Sequence, residues 1–370
     1  MVGISISVMP AIHIILTDRK KTLKGIYMTK QNRMFRCILY GAFGDAFGSD
    51  LEMITLDEIK EKYGEHGKRE LNSEDAITDD TQMTLFTLEG LALSQGKPID
   101  ERVQIMYESY LRWFNTQYGP DAIDEKIAHT GELWKIDELY EMRAPGHACI
   151  DSLRSGNMGT LDKQFNDSLG NGTVMRSAPF GFLLNESPEY VFELTIRCAA
   201  ITHGHREAQL SAGLFALLIY HLLRDDCKLI QAEIEAQSDY INCLKNYKLD
   251  RIIGQSYTCL INGSRCAGQY EAFGDEKFPH KRFWNELDNT WLAPCALGKA
   301  VYYLMRYNIY PVEIIFSHVA NNEKDSDTVA SITGNLMGAN RHYRGSFISS
   351  DIIAPYTELI KTYISSISPK

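Results

Sequence analysis

The sequence predicts an all-α fold, a single large helical bundle, and three observations carry that expectation. Apolar residues recur at helical spacing in "TLFTLEGLALSQG", "EYVFELTIRCAAIT", "EAQLSAGLFALLIYHLLRDD" and "CALGKAVYYLMRYN", the pattern of helices with one face in a core. Clusters of glycine and asparagine, as in "SLGNGTVMRSAP", punctuate those runs and read as loops between helices. Past residue 34 no convincing run alternates with the strand period of two, and no repeat of solenoid length is visible. The chain has 370 residues, 44% hydrophobic and 23% charged, enough to bury a large core as one domain.

The ends of the chain differ in character. Ile4, Ile6 and Val8 alternate with Ser5 and Ser7, which suits a short strand. Arg19, Lys20, Lys21, Lys24, Lys30, Arg33 and Arg36 follow with almost no acid. Residues 1–33 therefore read as a basic arm, loose or partner-binding, ahead of a helical domain over 34–370. This start is apolar first and basic afterwards, the reverse of a secretory signal.

Bulk charge excludes some functions. A net charge of -10 and a pI near 5.5 argue against nucleic-acid binding, which needs clustered cations to displace counterions. A small phosphate ligand stays allowed, because a metal or a ring of backbone N–H groups can hold it. The eight cysteines lie far apart with no C-x-x-C pair, as in a reduced cytoplasmic protein rather than a disulfide framework or a zinc site. No apolar run approaches the ~20 residues of a membrane span.

Five stretches can carry chemistry. In "ITDDTQMTLFTLEGLAL", Thr78, Asp79 and Asp80 sit where a helix begins. In "KDSDTVASITGNLMGA", Asp325, Asp327 and Thr328 do the same before a helix with a small face at Ala330, Gly334 and Gly338. Either group alone reads as a helix cap, the commonest use of Thr and Asp there. One cap needs only one side chain, however, and each turn supplies two carboxylates. If the two turns meet, four acids repel unless some are protonated or a hard dication lies between them. Oxygen-only donors favour Mg²⁺ or Mn²⁺ over zinc.

The other three stretches supply supporting roles. "LYGAFGDAFGSDLE" spaces Gly41, Gly44 and Gly48 for close packing; Asp45 reads as a buried structural acid and Glu52 as the acid–base candidate. In "GNGTVMRSAPFGF", Gly170, Asn171 and Gly172 can turn successive N–H groups toward one anion, with Arg176 either a ligand contact or half of an internal ion pair. In "ITHGHREA", His203 and His205 stand two residues apart, so they do not share a helix face and do not chelate together.

In this order the five motifs resemble the ADP-ribosylglycohydrolase family, which includes dinitrogenase reductase-activating glycohydrolases and ADP-ribosylarginine hydrolases, from about Phe35 to about Gly345. The resemblance implies an all-helical domain with a cleft holding two Mg²⁺, or Mn²⁺ in some members. It assigns metal ligation to Thr78, Asp79, Asp80, Asp325, Asp327 and Thr328, and places Glu52 near metals or substrate. The loop Gly170, Asn171, Gly172, Thr173, Val174, Met175 matches the segment that cradles the ADP-ribose diphosphate, and His203 matches a position near the substrate. Asp80, Asp325 or Glu52 is then the catalytic carboxylate. The implied activity is removal of ADP-ribose from modified protein, most readily from arginine, by a monomer that releases ADP-ribose. Some members are toxin immunity proteins, so direct neutralisation of an ADP-ribosyltransferase toxin through the arm is the alternative. Two departures stand out. Glu323 and Lys324 occupy the place of two glycines, and the segment from about Asp239 to Thr290, with its glycine-rich stretch at 268–276, matches little of the family and reads as an insertion near the cleft.

Overall fold

The computed structural model describes residues 28–118, 125–246, 254–273, 287–322, 324–343 and 348–368. Most of the basic arm, including the expected strand at 4–8, and Glu323 lie outside these residues. Among the described residues there are fourteen α-helices and no strand, with one isolated bridge between Gly170 and Leu292. The all-α expectation holds. No helix of the described residues is long and apolar enough to cross a membrane.

Helix α1 (Lys30–Gly48) starts from an N-cap at Thr29, whose hydroxyl accepts from Asn32 N. Arg33, counted from the sequence within the arm, is instead buried in this helix. Its guanidinium donates to the carbonyls of Leu222 and Leu223 at 2.7 Å each and pairs with Asp226 at 2.5 Å. Those carbonyls belong to the last turn of a helix, where no intrahelical donor reaches them and a cation is favoured. The helix so capped is α8 (Arg206–Arg224), buried on every side from Glu207 to Leu223. A helix buried all round lies in the core of a bundle. In chain order the other helices are α2 (Leu56–Tyr63), α3 (Asp79–Leu93), α4 (Ile99–Tyr118), α5 (Glu125–Ala128), α6 (His147–Arg154) and α7 (Pro188–Ala200). After α8 come α9 (Leu229–Asn246), α10 (Gln255–Phe273), α11 (Ala293–Tyr307), α12 (Val312–Ala320), α13 (Ser326–Ala339) and α14 (Thr357–Ile367). Of these, α1, α7, α9, α10, α11 and α13 pack directly on α8. The segment from Asp239 to Thr290 contributes the end of α9 and all of α10, which packs on α11. Its glycine-rich stretch runs into residues 274–286, outside those described.

The site is positioned by α1 and α13, which run antiparallel with their backbones in contact. A Cβ on Gly334 would lie 2.0 Å from the carbonyl oxygen of Tyr40, and one on Gly44 would lie 2.2 Å from that of Ala330. Asn335 locks the register by donating from Nδ2 to the carbonyl of Cys37 at 2.8 Å. A buried ion pair ties α3 to α4. Arg112 donates from Nε and Nη2 to Glu89 Oε2 at 3.1 and 3.0 Å. The other oxygen of Glu89 accepts from the backbone N–H of Glu132 and Leu133 and from the hydroxyl of Tyr363 on α14. Every strong acceptor position of this buried carboxylate is therefore used, which is the condition for such a pair to be tolerated.

Two outcomes follow for stability. Gly334→Ala forces a methyl against the Tyr40 carbonyl, and a backbone atom cannot swing away; stability should fall by about 1–3 kcal/mol or more, read from urea unfolding. His221 on α8 sits between Asp225 (Nδ1, 2.8 Å) and Asp239 on α9 (Nε2, 2.8 Å). Burial pulls its pKa down, but hydrogen bonds to Asp239 and Asp225 outweigh that and raise it above 6.5. The stabilisation is then full below the unfolded value and is lost as pH rises through the folded one. A His221→Gln variant should lose that alkaline-side decline, measured as melting temperature against pH.

Candidate metal centre

Helix α3 begins at the site. Thr78 is its N-cap, and its hydroxyl accepts from Asp80 N at 3.3 Å. That hydroxyl also donates to Asp45 Oδ1 at 2.7 Å, which leaves one lone pair for a further partner. Asp45, projecting from α1 and fully buried, collects four donors: the N–H and hydroxyl of Thr78 and the N–H and hydroxyl of Thr81. It therefore serves as the clamp between α1 and the first turn of α3. Asp79 accepts from Gly146 N at 3.1 Å. Asp80 accepts the hydroxyl of Thr328 at 3.2 Å through Oδ2, while its Oδ1 is buried with no partner.

Helix α13 enters from the opposite side of the sequence. Asp325 is its N-cap and accepts from Thr328 N at 3.2 Å through Oδ1. Its Oδ2 accepts Asn171 Nδ2 at 2.6 Å. Asp327 Oδ1 shares the Thr328 N–H at 2.9 Å. The end of α1 lies directly beneath: a Cβ on Gly48 would meet Asp327 Cα at 2.5 Å, and Ser326 donates its hydroxyl to the Gly48 carbonyl. Glu52, four residues further on, brings a carboxylate oxygen to Asp325 and Asp327, all three within 4.8 Å of one another. The two TDD and DSDT turns meet, as the sequence suggested, and the Thr328–Asp80 bond joins them.

Such crowding is visible in the protonation behaviour. Burial first, and neighbouring carboxylates next, hold Asp80 and Asp327 well above the carboxylate range; burial raises Asp79 and Asp325 too. Burial with Asp325 and Asp45 lifts Glu52 to about 7. Asp45 rises only to about 6, because its four hydrogen bonds oppose the cost of burial. A cluster of oxygen donors that repel one another, with an unpartnered buried oxygen on Asp80, fits a hard divalent cation.

These acids form one wall of a cleft of about 680 Å³. Gly170, Asn171, Gly172, Met175 and His203 line it as well. Thr173 and Val174 do not: the Thr173 hydroxyl donates to the carbonyl of Ala208, and Val174 is buried. His203 lies beneath the glycine loop, buried, with Nδ1 against the Thr202 hydroxyl at 2.8 Å. Burial and then the Arg176 charge drive its pKa down to about 3, so the ring is neutral at physiological pH. His205 caps α8, accepting from Glu207 N. Arg176 takes neither course expected of it. It is buried below the cleft over the Tyr110 ring at 4.3 Å, and donates to Thr202 Oγ1 at 2.6 Å. The cleft also contains residues that sequence reasoning passed over, chiefly Gly146, His147 and Trp291. Only the second has a chemically telling side chain, and no local pattern marks any of them.

An all-α bundle that opens a cleft onto oxygen-only acids defines a class of helical, carboxylate-rich proteins. Within it, a model of the ADP-ribosylglycohydrolase family matches residues 27–364. The chain belongs to that family and is a hydrolase of the ADP-ribosylglycohydrolase type. Among solved structures, one titled "ADP-ribosylglycohydrolase-related protein complex" superposes with a TM-score of 0.53 at 22% identity, over 91% of this chain and 97% of that one; it shows the fold. No curated protein matches.

Lys324 has φ +79°. Only glycine takes that region without steric cost, and Lys324 is kept there with its ammonium on Asp288 at 3.0 Å and its carbonyl on Met53 N. An exposed pair of this kind contributes little. Lys324→Gly should leave stability unchanged or raise it by up to about 1 kcal/mol, whereas Lys324→Val should lower it by more, both by chemical unfolding.

Proposed function

We propose that this protein removes ADP-ribose from a modified protein side chain, with arginine as the linked residue, and works with two Mg²⁺ or Mn²⁺ in the cleft. Thr78, Asp79, Asp80, Asp325, Asp327 and Thr328 would hold them. The observation that carries the reading is the Thr328–Asp80 contact together with the approach of Glu52 to Asp325 and Asp327. A divalent cation there supplies Lewis acidity and orients hydroxyl-bearing ligands.

The chain's own groups account for the rest. Cleavage of the bond at the distal ribose develops oxocarbenium character, which nearby carboxylates stabilise. Glu52, half-buried and beside Asp325 and Asp327 at the cleft, is the carboxylate placed to take and return a proton. Asp80 and Asp325 remain alternatives for that role, and both face the same cleft. The N–H groups of Gly170 and Asn171 are taken by Ser168 Oγ and the Trp291 carbonyl, so the Gly172 N–H and the neutral ring of His203 are the uncharged donors this turn would offer a diphosphate. Asn171 couples the two regions, since its carboxamide bridges Asp325 and the carbonyl of Thr290. Residues 1–33 are proposed as a separate segment from the catalytic domain at 34–370, although the helix itself starts at Lys30.

The test is release of ADP-ribose from arginine- and serine-linked protein, with Mg²⁺ or EDTA. Wild type with Mg²⁺ should release it from arginine; EDTA and Asp79→Ala should each abolish release. Glu52→Gln should lower kcat by about 10²–10⁴-fold with little effect on KM, the range for losing one acid–base group. Undiminished turnover in EDTA would refute the reading. The alternative, neutralisation of an ADP-ribosyltransferase toxin by contact through the arm, predicts that deleting residues 1–27 removes protection and leaves hydrolysis intact.

A further inference from the structure

Lys68 lies outside the cleft, is 1% exposed, and touches three segments that each lead directly to an acid of the site. Its Nζ pairs with Asp50 Oδ1 at 2.6 Å, two residues before Glu52. The same ammonium pairs with Asp75 Oδ2 at 2.6 Å, three residues before Thr78. Its backbone makes a two-way bond with one side chain. Lys68 N donates to Asn321 Oδ1 at 2.7 Å, and Asn321 Nδ2 donates to Lys68 O at 2.7 Å. Asn321 stands four residues before Asp325.

We infer that Lys68 is a positioning residue that holds the Glu52, Thr78–Asp80 and Asp325–Asp327 segments in mutual register through its contacts with Asp50, Asp75 and Asn321. This rests on the reading that those acids hold a divalent cation. An ammonium shared by two carboxylates converts their repulsion into attraction, so Lys68 draws the Asp50 and Asp75 segments together. Burial sharpens that dependence at Asp75, which without Lys68 keeps only the Asn72 N–H, whereas Asp50 retains Lys62 and Tyr63. The backbone arm of the hub is equally specific. Gly67 has φ +64°, and a Cβ there would lie 2.2 Å from Asn321 Oδ1, so a glycine at this turn is what admits the Asn321 carboxamide. The aliphatic stem and ammonium also sit against α1, with Nζ 5.2 Å from the centre of the Phe47 ring. Phe47 lies between Asp45 and Gly48, the residues through which α1 meets α3 and α13.

Charge and geometry predict opposite results, which makes the inference testable. Mn²⁺ alone is the probe, its affinity measured calorimetrically on the full chain, with circular dichroism setting a temperature at which each variant is folded. If Lys68 acted only through its charge, Lys68→Met would tighten Mn²⁺ binding by removing a cation near the acids. If it served only global stability, the affinity of the folded protein would not change. As a positioning residue, its loss should weaken Mn²⁺ binding by about tenfold or more, as outer partners of metal ligands do. Asn321→Ala should also weaken it, with no change of charge, and the double variant should lose less than the sum because both act through one hub. Folded Lys68→Met or Asn321→Ala that binds Mn²⁺ as tightly as wild type would overturn the inference. Should Lys68→Met fail to fold, Asn321→Ala decides alone. A wild type that binds no Mn²⁺ would overturn the metal reading, and this one with it; a binding wild type with unaltered variants overturns this one only.

Discussion

The close antiparallel contact of α1 with α13 is the constraint on which the site depends. Helix axes usually stand 8–10 Å apart because side chains fill the space between them. Here a Cβ at Gly44, Gly48 or Gly334 would fall within 2.5 Å of the facing backbone, so the two helices pack main chain to main chain. Because they are antiparallel, the C-terminal end of α1 meets the N-terminal end of α13. That places Asp45 and Glu52, which follow from one helix, beside Asp325 and Asp327, which begin the other. A wider spacing would put the same acids beyond reach of a common cation. The glycines therefore act at a distance on electrostatics, by fixing how close like charges come.

Bringing six carboxylates together is unfavourable, and the structure divides that cost by giving the acids different partners. Asp45 is saturated by four donors from Thr78 and Thr81, so its charge is spent on tying α1 to α3. Asp325 accepts one donor on each oxygen, whereas Asp79, Asp80 and Asp327 are supported on one oxygen only. Asp80 retains a buried oxygen with no partner at all, a position that costs free energy unless something binds there. Two threonines with parallel placement show the same division. The Thr78 hydroxyl turns to Asp45, away from the opposite turn, whereas the Thr328 hydroxyl crosses to Asp80. Support and ligation are thus distributed over residues that look alike in sequence.

What was legible in the sequence follows from how local each signal is. The helices announced themselves because apolar periodicity is read within a dozen residues. The pairing of TDD with DSDT was legible because each turn held one acid more than a cap requires, and because Gly334 and Gly338 advertised a close approach. Arg176 was not legible. Its surroundings, the Tyr110 ring and Thr202, come from segments remote in sequence, so nothing near it distinguishes a buried cation from a ligand contact. Lys68 was invisible for the same reason: Asn321 is 253 residues away. Trp291 and Gly146 line the cleft through the paths of their loops, which leave no residue pattern. Thr173 and Val174 show the converse error, since membership of a loop motif does not say which side chains face the ligand.

The rim of the site adds a constraint that the bundle alone does not explain. Met53 and Lys324 both have positive φ, at 65° and 79°, and Met53 N donates to the Lys324 carbonyl at 3.3 Å. These two residues directly adjoin Glu52 and Asp325. Unfavourable backbone conformations persist where the surroundings over-determine them, and here the surroundings are identifiable. Leu51 is held by a turn onto Gly48, Asp325 N is held by Thr290 Oγ1, and Lys324 Nζ is held by Asp288. With both flanks fixed, Met53 and Lys324 meet through one backbone hydrogen bond in left-handed conformations. Glycine would satisfy that geometry without strain, so lysine at 324 is tolerated rather than required, and its ammonium is directed outward to Asp288 instead of inward to the acids. The Lys324 ammonium therefore does not take the place among the acids that a divalent cation would occupy.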